Sequence, residues 1–101
     1  MSLNEESIYE ALSDVVDPEL GLDIVSLGLV YDTRLDPDNG AVRVIFTLTT
    51  PACPVGELIE TQIRDYVGDV DGITKVDTEL VWSPTWSPEM MSEDAKFALG
   101  F

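Results

Sequence analysis

The run "AVRVIFTLT", residues 41–49, constrains the fold more than any other stretch of this chain. Val42, Val44, Phe46 and Leu48 alternate with Arg43, Ile45 and Thr47, the period-two pattern of a strand with one buried face. Immediately upstream, "DPDNG" (36–40) combines the residue types that reverse a chain. "LGLVYDTRL" (27–35) is also strand-like, so the pair predicts an antiparallel hairpin. An isolated hairpin is marginal in water, and its apolar face needs helices to cover it.

The flanking segments supply them. Ile8, Ala11, Leu12 and Val15 recur at helical spacing and predict a helix over about 4–14. Ser2 or Asn4 would cap it, with Glu5 and Glu6 complementing the helix dipole. A second helix is expected over about 54–68, with Val55, Leu58, Ile59, Ile63, Tyr66 and Val67 as its apolar stripe and Gly68 as C-cap. Val76, Thr78, Leu80 and Trp82 alternate with Lys75, Asp77 and Glu79, which predicts a third strand over 73–82. "SPTWSPEMM" (83–91) reads as loop, and Ser92 caps a last short helix, "EDAKFAL", closed by Gly100. The order α-β-β-α-β-α predicts a two-layer α+β domain occupying residues 1–101, with a small three-stranded mixed sheet. A strand–helix–strand crossover makes the added pair parallel, and the helices are expected mainly on one face.

The single cysteine, Cys53, lies in "TTPACP" (49–54), between the central strand and the second helix. Pro54 suits the first helical position, which makes Cys53 the N-cap. Amide donors and the helix dipole stabilise a thiolate at such a point. Thr49 and Thr50 stand ready to add hydroxyl hydrogen bonds, while the surrounding negative charge opposes another anion. The plainer alternative is a small residue filling a turn.

Composition limits what this thiol can do. With no histidine there is no Cys–His dyad within the chain, and with no second cysteine there is no dithiol cycle and no internal disulfide. Structural zinc and a complete four-cysteine iron–sulfur site both need more ligands than one chain offers. A lone activated thiol suits transient ligation completed by a second subunit or a client, and enzymatic turnover is not expected. "DPELGLD" (17–23) places Asp17, Glu19 and Asp23 in one loop, with Asp14 just upstream. This spacing fits either a hard divalent cation or client steering; equally, it fits a solvated loop with Asp17 in an Asx turn. Trp82 and Trp86 read either as the edge of the core or as ligand contacts.

These motifs, in order, resemble a known family. "DPELGLDIVSLGLVYD" (17–32), "TLTTPACP" (47–54), "DGITKVDTELVWSPTW" (71–86) and "MSEDAKFALG" (91–100) look like the SufT-like, PaaD-related iron–sulfur cluster assembly proteins, also called metal–sulfur cluster biosynthetic proteins. The resemblance runs from about residue 5 to the end. It implies a compact α+β domain that matures iron–sulfur proteins as a transient carrier or scaffold and not as an enzyme. The family's cysteine falls on Cys53, its acidic motif on Asp17, Pro18 and Glu19, and its threonines on Thr49 and Thr50. Iron or an iron–sulfur cluster is expected as transient cargo, with no tightly bound cofactor. Partners are expected to be iron–sulfur clients and assembly proteins, together with a second copy of the chain in a homodimer. The alternatives are a non-metal adaptor that docks clients through the acidic loop, and an accessory protein of a phenylacetyl-CoA-type multicomponent oxygenase. A thiol enzyme passing sulfur or acyl groups through Cys53 lacks a base.

Twenty acidic residues against five basic ones leave a formal charge of −15. Arg34, Arg43, Arg64, Lys75 and Lys96 cannot form a stripe for a nucleic-acid backbone, so no nucleic-acid partner is expected. No apolar run is long enough for a membrane span, and "MSLNEESIYE" lacks the apolar region of a signal peptide, so a cytoplasmic location is expected. The acids are spread from Glu5 to Asp94, a halophilic pattern. Between about 0.1 M and about 1 M salt the screening length falls from roughly 10 Å to roughly 3 Å. The thermal midpoint is therefore expected to rise by about 5 °C or more over that range. A flat or falling midpoint in a salt series would contradict the halophilic reading.

Overall fold

The computed structural model describes residues 4–49 and 55–100. Its elements are α1 (Glu5–Leu12), β1 (Val30–Asp36), β2 (Ala41–Phe46), α2 (Val55–Gly68), β3 (Lys75–Leu80) and α3 (Glu93–Leu99), with a 3₁₀ turn at Pro88–Met90. The expected α-β-β-α-β-α order and α+β class are what the structure shows. β2 is central, antiparallel to β1 and parallel to β3, in the sheet order β1-β2-β3.

The hairpin reverses through Asp36–Gly40, where Asn39 Nδ2 donates to Asp36 Oδ2 at 2.8 Å and Gly40 takes φ +66°. The Gly40 carbonyl accepts from the amides of Thr74 and Lys75, which sets the start of β3 beside the start of β2. Val42 pairs with Val76, and the parallel register continues to Phe46 and Leu80. A bulge in β1 makes Tyr31 the extra residue between the pairs Val30–Phe46 and Asp32–Ile45. Because of this shift Thr33 lies opposite Val44, on the buried face, and not opposite the exposed Arg43.

Val42, Val44 and Phe46 form the floor of the core, covered by Ile8 and Leu12 of α1 and by Ile59, Ile63 and Val67 of α2. Asn4 caps α1, its Oδ1 accepting from the Ser7 amide at 2.9 Å. Ser92 caps α3 in the same way, and Gly100 closes it in a left-handed conformation. Several boundaries differ from the sequence reading. α1 stops at Leu12, because Asp14 and Val15 donate to carbonyls only three residues back, and Val15 is buried beyond the helix end. Leu58 and Tyr66 are exposed, since the narrow sheet covers only the Ile59–Ile63–Val67 ridge. Gly68 is the last residue of α2 and does not take the left-handed conformation of a glycine C-cap. β3 stops at Leu80, which leaves Trp82 about half exposed. The "SPTWSPEMM" segment contains the 3₁₀ turn where loop was expected.

β1 starts at Val30 and not at residue 27, because Gly28 has φ +76° and breaks the extended geometry. A Cβ there would also strike the Met90 carbonyl. Gly28→Ala should therefore cost more than about 2 kcal/mol, combining left-handed strain with a steric clash. Gly68→Ala meets nothing within 4 Å and should stabilise by about 0.4–1 kcal/mol. Chemical denaturation of both variants at one fixed salt concentration checks the contrast.

Candidate functional site at the head of the sheet

The topology gathers three segments at one end of the sheet. β1 begins there and β2 and β3 end there, so the acidic loop leads in while residues 47–49 and the tail lead out. Backbone bonds hold the convergence: the Thr47 amide donates to Leu29 O at 2.8 Å, and the Val81 amide to Phe46 O at 2.9 Å. Residues 81–92 then cross back as a strap. Tyr31 Oη donates to Pro84 O at 2.8 Å, Trp86 Nε1 to Leu27 O at 2.7 Å, and the Ser92 amide to Ser26 O at 2.8 Å. Trp86 thus closes the core edge through its indole N–H. Trp82 does not, since it lies past the end of the β3 ladder.

In the acidic loop the Asx-turn reading is the one the structure shows. Asp17 is buried, and its Oδ1 accepts from the amides of Glu19 at 2.8 Å and Leu20 at 3.4 Å. Its own amide donates to Leu22 O and its carbonyl accepts from Gly21. Asp23 Oδ2 accepts from the Ser26 amide at 2.9 Å, capping the next turn. Glu19 projects into solvent, and Asp14 is exposed. Among the described residues no three His, Cys, Asp or Glu side chains converge on a metal-sized site. Asp17, Glu19 and Asp23 are therefore neighbours in a built loop and do not form a ligand set together.

That loop is tied to α2 by a residue the sequence reading passed over. Gln62 Oε1 accepts from the Val16 amide at 3.2 Å while its Nε2 donates to the Val16 carbonyl at 3.1 Å. Nothing in a helical pattern announces such a bond, because Gln62 lies in the half-exposed row beside the buried ridge.

Cys53, Thr50 and Pro54 lie outside the described residues, and so does the proposed N-cap arrangement. Thr49 is half-buried at the edge of that segment. Thr47 corrects the alternation reading, which put it on the polar face with Arg43. It is fully buried, because the β2 ladder ends at Phe46 and the chain turns inward to Leu29. Among the described residues its Oγ1 meets no partner within hydrogen-bond criteria. Burial pushes the nearby Tyr31 phenol above its ordinary pKa, and the Thr47 hydroxyl pulls it part of the way back. Even so, the two oxygens do not reach hydrogen-bond geometry.

The sequence profile described as "Iron-sulfur cluster assembly protein" matches residues 5–78, from α1 into β3. The chain belongs to this family. It is 43% identical over 96 residues to the Fe-S protein maturation auxiliary factor YitW of Bacillus subtilis, covering 95% of this chain and 93% of that protein. Over 86 residues it is 46% identical to the Fe-S protein maturation auxiliary factor SufT of Staphylococcus aureus, covering 85% of this chain and 97% of that one. A crystal structure of a domain of unknown function from Bacillus anthracis superposes with TM-score 0.89 at 40% identity, covering 96% of this chain and 92% of the other. Membership in the iron–sulfur cluster assembly family agrees with the resemblance carried by the acidic and cysteine motifs. Both lie inside the matched residues, whereas the strap lies beyond them.

The turn chemistry of the acidic loop can be tested directly. Asp17→Ala leaves two loop amides without their acceptor and should destabilise by about 1–2 kcal/mol. Asp17→Asn keeps the accepting oxygen and should cost less. Denaturation midpoints in high salt separate the two; equal losses would mean that charge and not hydrogen bonding holds the turn.

Proposed function

We propose that this protein matures iron–sulfur proteins by holding iron or a nascent cluster transiently through Cys53 and passing it on. The observation that carries this reading is the nearly full-length similarity to two maturation auxiliary factors. The chemistry of the chain is compatible with it. One thiolate supplies a fraction of a four-cysteine set, so a bound cluster stays under-coordinated and free to leave. The remaining ligands come from a second copy of the chain or from the client. Thr49 and Thr50 support the thiolate, and no metabolite is turned over. The partners are iron–sulfur clients and assembly proteins. No helix among the described residues is long and apolar enough to cross a membrane, and the working location we propose is the cytoplasm.

A second reading has its own observation. Glu19 is exposed on a loop stiffened by the buried Asp17, which suits an adaptor that docks clients without touching metal. Anaerobic purification in high salt, followed by iron and acid-labile sulfide assay, separates the two. Wild type should carry both after reconstitution, and Cys53→Ser should lose both while keeping its melting midpoint. If neither protein takes up metal, the carrier reading fails. Client capture that survives Cys53→Ser and fails in Glu19→Gln would then establish the adaptor.

A further inference from the structure

The few basic residues of this chain are not spread as its acids are. Arg34, Arg43 and Lys75 all stand on the face of the sheet turned away from Val42, Val44 and Phe46. There Arg34 lies opposite Arg43 and Arg43 opposite Asp77, and in the next row Ile45 stands between Asp32 and Glu79. Each cation is paired on the face itself: Arg43 with Glu79 at 3.0 Å, Arg34 with Asp32 at 3.5 Å and Lys75 with Asp77 at 3.8 Å. The side chains of all three cations are at least half exposed, so this face is open to solvent, with the half-buried Ile45 in its middle. Together with Asp36 the face holds four acids against three bases. Only Arg64 and Lys96 are left to set against all the other acids of the chain. The open sheet face is therefore close to neutral, while the remainder of the surface is strongly negative.

That contrast narrows what can meet this face. Two molecules of formal charge −15 repel, and contact through the remaining surface sets carboxylates mainly against carboxylates. A second copy presents the same mixture of both signs, which a two-fold axis can match to itself. We infer that the open face of the sheet is a self-association surface, joining two copies of this chain sheet to sheet. With the axis along β2, β1 of each copy lies over β3 of the other. Arg34 then faces the partner's Asp77, Asp36 faces the partner's Lys75, and the two Ile45 side chains meet at the centre. Asp32 and the partner's Glu79 approach as well, each already holding an arginine. The charges fix the orientation, while Ile45 and the stems of the arginines supply the apolar contact. Three short strands cover roughly 300 Å². That is well below the roughly 800 Å² per partner of a standard interface, so the dimer is weak and exchanging. The inference does not involve Cys53; it gives the second copy invoked by the carrier reading a surface of its own.

Sedimentation equilibrium of the full chain tests it, in high salt without iron or sulfide, at loading concentrations up to about 1 mM. Wild type should show a reversible monomer–dimer equilibrium. Arg43→Glu sets a carboxylate beside Asp77 and Glu79 and should weaken the dimer about tenfold or more. Arg43→Glu combined with Glu79→Arg restores the balance of the face and should recover association to within about threefold. Lys75→Glu, at the exposed rim of the same face, should weaken the dimer in the same direction, and it keeps the test open if the melting midpoint shows that Arg43→Glu does not fold. Leu58→Ser and Tyr66→Ser, on the exposed side of α2, should leave association unchanged. A wild type that is monomeric at every concentration overturns the inference and leaves the carrier reading to ligands from a client. A dimer that tolerates Arg43→Glu and Lys75→Glu but is lost in Leu58→Ser or Tyr66→Ser also overturns it, placing the contact on α2. Metal uptake is scored separately, so failure of the carrier reading leaves this result standing.

Discussion

Everything in this molecule depends on β2 being paired on both sides. A buried strand must satisfy its amides and carbonyls, and a central one does so with two neighbours. The hairpin supplies β1 at once through a four-residue loop. The second neighbour has to come from downstream, and because it is parallel the chain must cross over through α2. That crossover lays Ile59, Ile63 and Val67 on Val42, Val44 and Phe46, so pairing the strand and burying its face are one event. It also brings the end of β2, the end of β3 and the start of β1 to a common edge. The acidic loop and the strap meet there because of strand directions, before any side chain is considered.

Charge plays a different part. Among the described residues three ion pairs are formed, Arg34–Asp32, Arg43–Glu79 and Lys75–Asp77, and all are exposed. Such pairs contribute about 0–1 kcal/mol each and cannot offset so large an acidic excess. Among the described residues the core is neutral apart from Asp17, whose carboxyl group is engaged by the amides of its own turn. The acidity therefore shapes the surface and its response to salt, while the head of the sheet is organised by backbone bonds, by Gln62 and by the strap.

The elements that were legible in the sequence are those set by local periodicity and turn chemistry. The alternation in 41–46, the "DPDNG" reversal, the Asn4 and Ser92 caps and the Ile59–Ile63–Val67 ridge all act within a few residues. The failures come where a distant segment decides. Leu27 and Leu29 look like strand residues, but Gly28 must turn to admit the Met90 carbonyl. Trp82 continues the alternation of β3 on paper, yet the partner strand has ended. Thr47 has polar parity along β2 and is nevertheless buried. Of the candidate site, Asp17, Glu19 and Thr49 were found by motif; Thr47, Gln62 and Tyr31 were not, because their contacts lie across the fold.

By itself, the sequence determined the class of the fold, the family, and the thiol as the reactive group to consider. Strand and helix periods and a short ordered set of motifs are local or linear properties. Only the tertiary structure decided that Asp17 serves its own turn and does not join Glu19 and Asp23 around a metal. The same holds for Gln62, which binds the loop to α2, and for a bulge at Tyr31 that resets the register of β1. It also decided that Thr47, polar by its place in the alternation, is buried. Each of these depends on which backbone groups remain unpaired after the strands have met, and no stretch of sequence contains both halves of that pairing.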